Sequence, residues 1–329
     1  MMMKDIGMRS AEGKNIDRKK WLGKNIWVWP LIGAVALWIL IGAISGGLSL
    51  DVLVTNFTLA SYLIILSLGQ TAVMTSGEGG IDLSIQYTVA LGAYFASMSM
   101  MQMGAFPGFI LTIAVCACVG LLNGLVNIYI KVPPMITTLA MGYIVYSIVL
   151  VMSASIPGTP APEISWFAQK ARIGGISPII LVALGIAALV AVLLYKTKYG
   201  KRLHAVGQNR KAAQLAGISV PKTVILTFIL SSVLAGLTGI FLGGYFGGAF
   251  QDMGISYMLT SIAATVIGGT SVAGGKSSVL GTIMGALMLT MLVAFLNVSK
   301  LQASMQNLIQ GILLIGILVA SVPKKQVNI

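Results

Sequence analysis

Acidic, histidine and cysteine residues are scarce in this sequence of 329 residues, which has eight Asp and Glu together, one His and two Cys. The two cysteines, Cys116 and Cys118, lie two positions apart on a predicted helix and therefore point in different directions. This scarcity leaves neither a disulfide framework nor a set of metal ligands. We therefore predict no catalytic residue, no metal site and no cofactor in this chain.

Charged side chains are also missing from the interiors of the long apolar runs, although the chain carries 21 Lys and Arg in total. Proton-coupled carriers normally place ionisable groups inside the bilayer, at a cost of about 2.5–3.5 kcal/mol each. The sequence therefore argues against an intramembrane proton relay and against an intramembrane enzyme. A stand-alone ion-coupled secondary transporter of a small polar solute stays the alternative function, because backbone carbonyls alone can bind sodium.

What the sequence has in abundance is apolar residues, which make up 57% of the chain against 9% charged residues. Ten apolar runs each approach the ~20 residues that a helix needs to cross ~30 Å of hydrocarbon. They lie at 26–45, 51–76, 83–101, 109–130, 135–153, 178–195, 223–248, 256–272, 278–297 and 303–322. Backbone groups at that depth must pair within their own segment, so the runs are predicted to be helices. The predicted fold is an all-α integral membrane protein with about ten transmembrane helices.

The distribution of positive charge predicts which side of the membrane each connection faces. With ten crossings, the segments on the side of the N-terminus hold 18 of the 21 Lys and Arg residues. By the positive-inside rule this side is cytoplasmic, and both termini lie there. We therefore divide the chain into a basic cytoplasmic segment (1–25), a transmembrane domain (26–322) that includes a cytoplasmic loop (196–222), and a cytoplasmic tail (323–329). The basic clusters flank apolar runs and lack the interleaved aromatic residues that stack on bases, so no nucleic-acid partner is predicted.

The stretch "TSVAGGKSS", Thr270 to Ser278, nearly matches the phosphate-binding loop G-x-x-x-x-G-K-[ST], but Thr270 replaces its first glycine. Such a loop must follow a strand, and the preceding run is too long and too apolar to be one. We predict a tight turn between two helices, in which Gly274 and Gly275 adopt left-handed conformations and Ser277 or Ser278 caps the next helix. The chain itself is then expected to have no nucleotide site.

A second polar stretch, "TSGEGGIDLS" (Thr75 to Ser84), interrupts the apolar sequence between the second and third runs. Its three glycines break the helix, and Asp82 precedes the next one. One interpretation makes Asp82 an N-cap, where a carboxylate suits the positive end of the helix. The alternative is a broken helix that lines a solute path, with Gly80, Asp82 and Ser84 shaping that path.

Neutral polar residues also occur within the apolar runs, and Asn123 and Asn127 are two of them. They are candidates to line a path for a neutral polar solute such as a sugar. The alternative is that they form hydrogen bonds between helices, which hold membrane bundles together at roughly 0.6 kcal/mol each.

The loop at 196–222 is the longest predicted cytoplasmic connection, and it contains a pattern for a short helix. Asn209 is suited to cap a helix over 210–216, and Gly217 is suited to end it. This helix would be amphipathic and lie flat under the membrane; a solvated basic loop is the alternative. His204, which comes before it, is predicted to be a solvated loop residue.

Three ordered motifs resemble a known family. "GGIDLS" at 79–84, "YGKRLHAVGQNRKAAQLAGISV" at 199–220 and "GGTSVAGGKSSVLGTIMGAL" at 268–287 resemble signature segments of monosaccharide permeases of ABC transporters, the ribose-type family. The resemblance covers about residues 50–322. Two departures, Ile85-Gln86 where the family pattern continues Val-Gly and the long "GEGG" turn, leave the solute open among pentoses, hexoses, a sugar-like signalling molecule, nucleosides and branched-chain amino acids.

The resemblance implies a permease subunit of an importer in the inner or plasma membrane. Its implied partners are separate ATPase subunits, a second permease copy or paralogue, and an extracytoplasmic solute-binding protein. It also implies that residues 200–217 contact the ATPase. Within that segment the candidate contact residues are Gly200, Gly207, Asn209, Ala212, Ala213 and Gly217. We further expect the predicted external loop at 154–177 to contact the binding protein.

Overall fold

The computed structural model describes residues 25–320, which form a bundle of thirteen α-helical segments. In chain order they are α1 (Val28–Ser45), α2 (Leu50–Thr75), α3 (Ile85–Met103), α4 (Ala105–Leu125), α5 (Pro134–Ser155), α6 (Pro162–Ser165), α7 (Pro178–Lys196), α8 (Lys198–Gln208), α9 (Arg210–Leu215), α10 (Val220–Phe246), α11 (Ile255–Ile267), α12 (Val279–Val298) and α13 (Ala303–Ala320). Two π-helical turns, Val126–Ile130 and Trp166–Lys170, extend α4 and α6. The only β-type pairing in this range is an isolated bridge between Ile173 and Ile176.

The all-α membrane fold is confirmed, and each predicted apolar run corresponds to one helix. Seven helices are long and apolar enough to cross a bilayer: α1, α2, α4 with its π-helical extension, α5, α7, α10 and α12. α11 has 13 residues, and α3 is less hydrophobic on average than each of these seven helices. The number of crossings and the cytoplasmic position of both ends stay predictions. The basic segment 1–25, apart from Asn25, and the tail 323–329 lie outside the described residues.

α10 is the central helix of the bundle, and it packs against α2, α3 and α4. Glycine makes these approaches close. A Cβ added at Gly120 of α4 would lie 2.7 Å from Ile229 Cα, and one added at Gly92 of α3 would lie 2.8 Å from Gly236 Cα. Small residues let membrane helices pack backbone to backbone, where dispersion contacts replace the hydrophobic effect. The large apolar side chains that are exposed, such as Ile148 and Val151 of α5, suit a surface that faces lipid.

Three backbone segments meet at one end of the bundle, and we call their contact the glycine junction. Gly77 follows α2, Gly207 lies in α8 and Gly274 lies between α11 and α12. A Cβ at Gly77 or at Gly274 would lie 2.7 Å from the Gly207 carbonyl oxygen. The Gly275 N–H donates to the Thr75 carbonyl at 3.0 Å. α8, α9 and the junction therefore define one end of the molecule, and the start of α2 lies at the other end.

The connection between α11 and α12 is the predicted turn and does not have the framework of a phosphate loop. The element before it is the helix α11. Gly274 and Gly275 have positive φ angles of 95° and 70°. Ser278 caps α12, because its Oγ accepts a hydrogen bond from the Gly281 N–H at 3.2 Å.

The segment 196–222 differs from the prediction of a loop with one short helix, because it is helical almost throughout. α8 was not predicted, and its position corrects the expectation for His204. The His204 side chain is half-buried: Nδ1 lies 2.7 Å from the Gly200 carbonyl oxygen and Nε2 lies 2.9 Å from Ser277 Oγ. This histidine is therefore a bridge between α8 and the α11–α12 turn, and the prediction of a solvated loop residue is wrong.

We expect Gly120→Ala to lower the free energy of unfolding by about 1–3 kcal/mol, because the new methyl group would overlap the backbone of α10. Gly185→Ala in α7 is the matched control, since nothing lies within 4 Å of its added Cβ and alanine favours helix. The thermal midpoint, followed by fluorescence-detected size-exclusion chromatography after heating, measures both. Equal midpoints for the two variants would contradict the packing described for α4 and α10.

Candidate functional site

The polar segment between α2 and α3, residues 76–84, is a true interruption of the helical bundle, and we call it the first break. Gly77, Glu78 and Gly79 have consecutive positive φ angles of 77°, 53° and 67°. Glycine adopts these angles without strain, whereas glutamate does not. Gly80 follows with its N–H donating to the Gly77 carbonyl at 3.0 Å. A Cβ at Gly80 would lie 2.9 Å from Ser76 Oγ, so the tight turn itself requires glycine there.

Asp82 is completely buried within the first break, and the described partners of its carboxylate are hydrogen-bond donors. Its Oδ1 accepts from the Ser84 N–H at 3.0 Å and from the Ser84 hydroxyl at 2.6 Å. Its Oδ2 accepts from the Ser231 hydroxyl of α10 at 2.8 Å. The Asp82 N–H donates to Gln70 Oε1 at 3.3 Å. The carboxylate therefore fastens the first break to α10, and the Asp82 backbone fastens it to α2.

The position of Asp82 corrects two expectations. Its side chain does not cap α3, because α3 begins at Ile85 after Ser84. It also does not lie at the membrane surface. Its partner Ser231 is the twelfth of 27 residues in α10, about 17 Å along the helix from its start. A carboxylate therefore lies inside the bundle, contrary to the expectation that all acidic side chains stay outside the membrane-embedded core.

Asn123 joins the same network from α4. Its Nδ2 donates to Ser84 Oγ at 2.9 Å. The hydroxyl of Ser84 donates to Asp82, so it accepts from Asn123, and this order fixes which way the amide points. Asn123 Oδ1 and Gln70 Nε2 are buried and have no partner. The network thus links four elements, namely α2, the first break, α4 and α10.

The structure brings together three of the five predicted path residues, Asp82, Ser84 and Asn123, and places the other two apart from their hydrogen bonds. Gly80 shapes the turn at the start of the first break. Asn127 closes the end of α4, where its Nδ2 donates to the Val132 carbonyl at 2.8 Å. The cavities described within residues 25–320 are lined by other residues. The role of the five residues in a solute path stays a prediction.

A second break, residues 247–254 between α10 and α11, was not predicted as part of the site. The second break contacts the start of α3, directly after the first break. There Gly254 lies so close to the Gln86 carbonyl that no Cβ fits. Gln251 Nε2 donates to Ser153 Oγ of α5 at 2.6 Å. The signal in the sequence was the "GG" at 247–248 followed by the glycine at 254. These glycines could be read equally well as part of a helix-packing pattern.

Tyr87, next to the unusual Gln86, belongs to an aromatic cluster with α5. Its ring centroid lies 4.7 Å from that of Tyr146 and 6.1 Å from that of Tyr143. Both partners lie near the middle of α5, so α3 begins at about the middle of the bundle. The departure from the family pattern at Ile85-Gln86 therefore falls where the two breaks meet.

The cytoplasmic candidate residues divide into two groups by exposure. Gly200, Gly207 and Ala213 are buried, and Gly207 belongs to the glycine junction. Asn209, Ala212 and Gly217 are exposed on α9 and its ends. The predicted capping is confirmed, because Asn209 Oδ1 accepts from the Ala212 N–H at 3.0 Å, and Gly217 has a φ of 77°. A partner protein can reach only the exposed group directly, and the buried group holds α8 and α9 in place.

Two features of α9 were missed by the sequence interpretation. The first is an ion pair between Arg210 Nη1 and Glu78 Oε2 at 2.7 Å, which joins α9 to the first break. Burial lowers the pKa of the Arg210 guanidinium, and the Glu78 carboxylate acts in the opposite direction. The second is Leu215, which is 90% exposed. The pattern of α9 contained Leu215, but sequence periodicity does not show which apolar residues of a six-residue helix stay uncovered.

A bundle of apolar helices with a buried polar break and a polar helical segment at one end has the architecture of a membrane permease. The family described as "Branched-chain amino acid transport system / permease component" matches residues 52–318. Because the match covers most of the sequence, the chain belongs to this family of permeases.

Curated relatives narrow the family further. The chain is 32% identical to the galactose/methyl galactoside import permease protein MglC of Escherichia coli (strain K12), over 82% of this chain and 85% of the relative. It is 30% identical to MglC of Haemophilus influenzae, over 78% and 82% of the two chains. It is 28% identical to the autoinducer 2 import system permease protein LsrD of Yersinia pestis (strain Pestoides F), over 89% and 90%. No solved structure matches the chain.

These comparisons confirm the resemblance to monosaccharide permeases of ABC transporters and favour an importer permease over a stand-alone ion-coupled carrier. The relatives are named as permease components of import systems. The chain is accordingly a multi-pass membrane component of a transport system.

We expect Ser231→Ala to lower the free energy of unfolding by about 1–3 kcal/mol, because it leaves a buried acceptor, Asp82 Oδ2, without its partner. The neighbouring Ser232→Ala is the matched control: Ser232 is equally buried, but its hydroxyl has no partner. The thermal midpoint in detergent measures both variants. A loss of stability in Ser232→Ala as large as that in Ser231→Ala would contradict the role assigned to the bond with Asp82.

Proposed function

We propose that this chain is the translocating subunit of an ABC importer that carries a monosaccharide or a sugar-like solute across the inner or plasma membrane. The family name and the import systems of the relatives support this function. A sugar is preferred over an amino acid because the galactoside permeases are similar over most of both chains. The proposed assembly contains a second permease copy or paralogue, ATPase subunits on the cytoplasmic face and an extracytoplasmic binding protein. Both ends of the chain are proposed to be cytoplasmic.

The observation that carries the proposal is the direct connection between α9 and the interior of the bundle. The ion pair of Arg210 with Glu78 joins α9 to the first break. Four residues further on, Asp82 fastens the same break to the middle of α10. A force applied to α9 at the cytoplasmic face therefore acts on a segment that reaches the core. A partner can drive a conformational change only if it contacts the two states differently, and α9 is positioned for such contacts.

Leu215 is the proposed centre of the ATPase contact. Single exposed leucines are ordinary on protein surfaces, but in this molecule large exposed apolar side chains are expected to face lipid. Leu215 instead lies on a polar helix in the basic segment predicted to be cytoplasmic. Its exposed fraction of 90% is the highest given for a large apolar residue within the described part of the chain. An apolar anchor surrounded by polar residues is typical of the centre of a protein interface.

The function is tested by reconstitution in proteoliposomes with the ATPase and the binding protein that purify with this chain. We expect uptake of D-galactose, D-ribose or another monosaccharide of a test panel to require ATP and the binding protein. Uptake by this chain alone under an ion gradient would establish the alternative function and contradict the proposal.

We expect Leu215→Asp to weaken co-purification with the ATPase at least about tenfold, because a charge replaces the apolar anchor of the contact. Ser219→Asp is the control: it adds the same charge four residues later, at the start of α10, where a carboxylate is favourable. Quantitative co-elution measures the effect, and size-exclusion chromatography checks that each variant is folded. Unchanged co-elution of Leu215→Asp would show that the ATPase binds elsewhere.

The ion pair between Arg210 and Glu78 is tested by exchanging its charges. We expect Arg210→Glu to reduce uptake strongly, because it places two carboxylates together, while the chain stays inserted in the membrane. The double variant Arg210→Glu with Glu78→Arg should recover a large part of the uptake, since it restores opposite charges. Lys222→Glu, which changes the charge by the same amount at an exposed site, is the control. If the double variant is no better than Arg210→Glu alone, the ion pair does not transmit the movement.

A further inference from the structure

A cavity opens at the end of the bundle opposite to α8 and α9. Its enclosed volume is about 210 Å³, which suits a small solute rather than a drug-sized ligand. Its polar lining includes Asp51 and Thr55 at the start of α2, Arg172 and Ser177 before α7, and Tyr245 at the end of α10. Nothing in the comparisons or in the sequence motifs assigns a role to it.

The location of the cavity follows from the course of α2. Thr75, the last residue of α2, accepts the hydrogen bond from Gly275 at the glycine junction. Asp51 lies 24 residues earlier on the same helix, which corresponds to about 36 Å. The cavity is therefore on the opposite side of the membrane from the proposed ATPase contact. In an importer this is the side from which the solute enters.

Ser177 is the first residue whose environment indicates that the cavity binds a ligand. The residue is only 2% exposed, and its hydroxyl has no hydrogen-bond partner. Although it directly precedes α7, its side chain does not cap that helix. Buried polar groups in proteins are nearly always paired, and an unpaired one is costly. Within residues 25–320 the Ser177 hydroxyl lacks a partner, and its residue lies in the wall of the cavity.

Opposite charges line the same cavity without pairing with each other. Asp51 and Arg172 both contribute to its wall, whereas the one ion pair within residues 25–320 joins Arg210 to Glu78. Arg172 has a single hydrogen bond, from Nη1 to the Ala171 carbonyl at 2.7 Å. A carboxylate accepts hydrogen bonds and a guanidinium donates them. Because the two charges balance, the wall favours a neutral molecule rich in donors and acceptors over an ion of either sign.

Tyr245 adds an aromatic surface to this polar wall. Its ring is half-buried and packs at a tilt against Tyr62, with 5.5 Å between the ring centroids. Gln169 Nε2 holds the backbone there, donating to the Gly244 carbonyl at 2.9 Å and the Tyr245 carbonyl at 3.2 Å. A tyrosine fixed in this way offers an apolar ring with a polar tip, which matches a sugar ring with its C–H face and its hydroxyl groups.

We propose that this outer cavity binds the neutral, hydroxyl-rich solute as it enters the permease. Asp51 accepts hydrogen bonds from solute hydroxyls, Arg172 and Ser177 donate to solute oxygens, and Tyr245 packs against the ring. The proposal rests on the proposed import of a sugar. It differs from a docking site for the binding protein, because it assigns these side chains to the solute itself.

The test uses the complex of this chain with its ATPase in nanodiscs, without the binding protein. Saturation-transfer NMR measures binding of whichever sugar the reconstituted system takes up from a panel that includes D-galactose and D-ribose. We expect Arg172→Gln and Tyr245→Ala each to weaken binding about tenfold, as loss of a charged hydrogen bond or an aromatic contact would. Phe250→Ala is the control, because this exposed ring is not part of the lining and packs against Phe246. Arg172→Gln changes an exposed side chain, so it tests the site even if Tyr245→Ala does not fold.

Four results would overturn the proposal in distinguishable ways. Equal sugar binding by all variants would show that the cavity is not the binding site. The absence of a sugar signal from a complex that does transport sugar would show the same, and both results leave the proposed function in place. Unchanged sugar binding, with more binding protein needed to stimulate the ATPase, would show that the cavity serves the protein partner. If the wild-type assembly takes up no sugar of the panel, the proposed function fails and this site fails with it.

Discussion

The buried carboxylate of Asp82 is the interaction on which the rest of the bundle depends. A helix that stops inside a bilayer leaves backbone groups without partners, and no water is available there to satisfy them. Asp82 accepts from the Ser84 backbone and hydroxyl and from Ser231, so the interruption becomes part of the core. A buried polar group is tolerated when it is hydrogen-bonded. In this protein those bonds also determine where α3 begins.

Because α3 begins inside the bundle, the two ends of the first break lie in different environments. Glu78 faces α9 and half of its side chain is in solvent, while Asp82, four residues later, is completely enclosed. The second break follows the C-terminal end of α10. Its last residue, Gly254, packs against the Gln86 carbonyl at the start of α3. Both breaks therefore lie beside the start of α3. Irregular backbone at membrane depth is found where it is enclosed by protein or lines a path.

The sequence predicted those features that depend on neighbours in the chain. The helices follow from the thickness of the bilayer and the need for backbone pairing, so all ten apolar runs correspond to helices. The caps at Asn209 and Ser278 and the left-handed Gly217, Gly274 and Gly275 follow from local backbone chemistry, and they were found as expected. The class of transporter followed from three motifs that keep their order along the chain.

The features that sequence reasoning missed depend on contacts between distant segments. Ser231 is 149 residues from Asp82, and no pattern near either residue indicates the other. The sequence around His204 predicts a loop residue, and only the fold shows that its side chain contacts Ser277. Asn127 and Asn123 are equivalent by sequence, yet one closes its own helix and the other joins the Asp82 network. Leu215 belongs to an ordinary amphipathic pattern, and only the fold shows that no residue between 25 and 320 covers it.

The separation between Asp82 and Ser231 also constrains how the protein is made. α2 and α3 are synthesised well before α10. The Asp82 carboxylate therefore at first lacks the Ser231 hydroxyl, which is one of its three donors. The helices α2 and α3, which flank Asp82, are therefore synthesised before the helix that supplies its Ser231 partner. Ser231 is made only when synthesis is more than two thirds complete, so the full set of hydrogen bonds to Asp82 cannot form in a nascent chain that stops before α10.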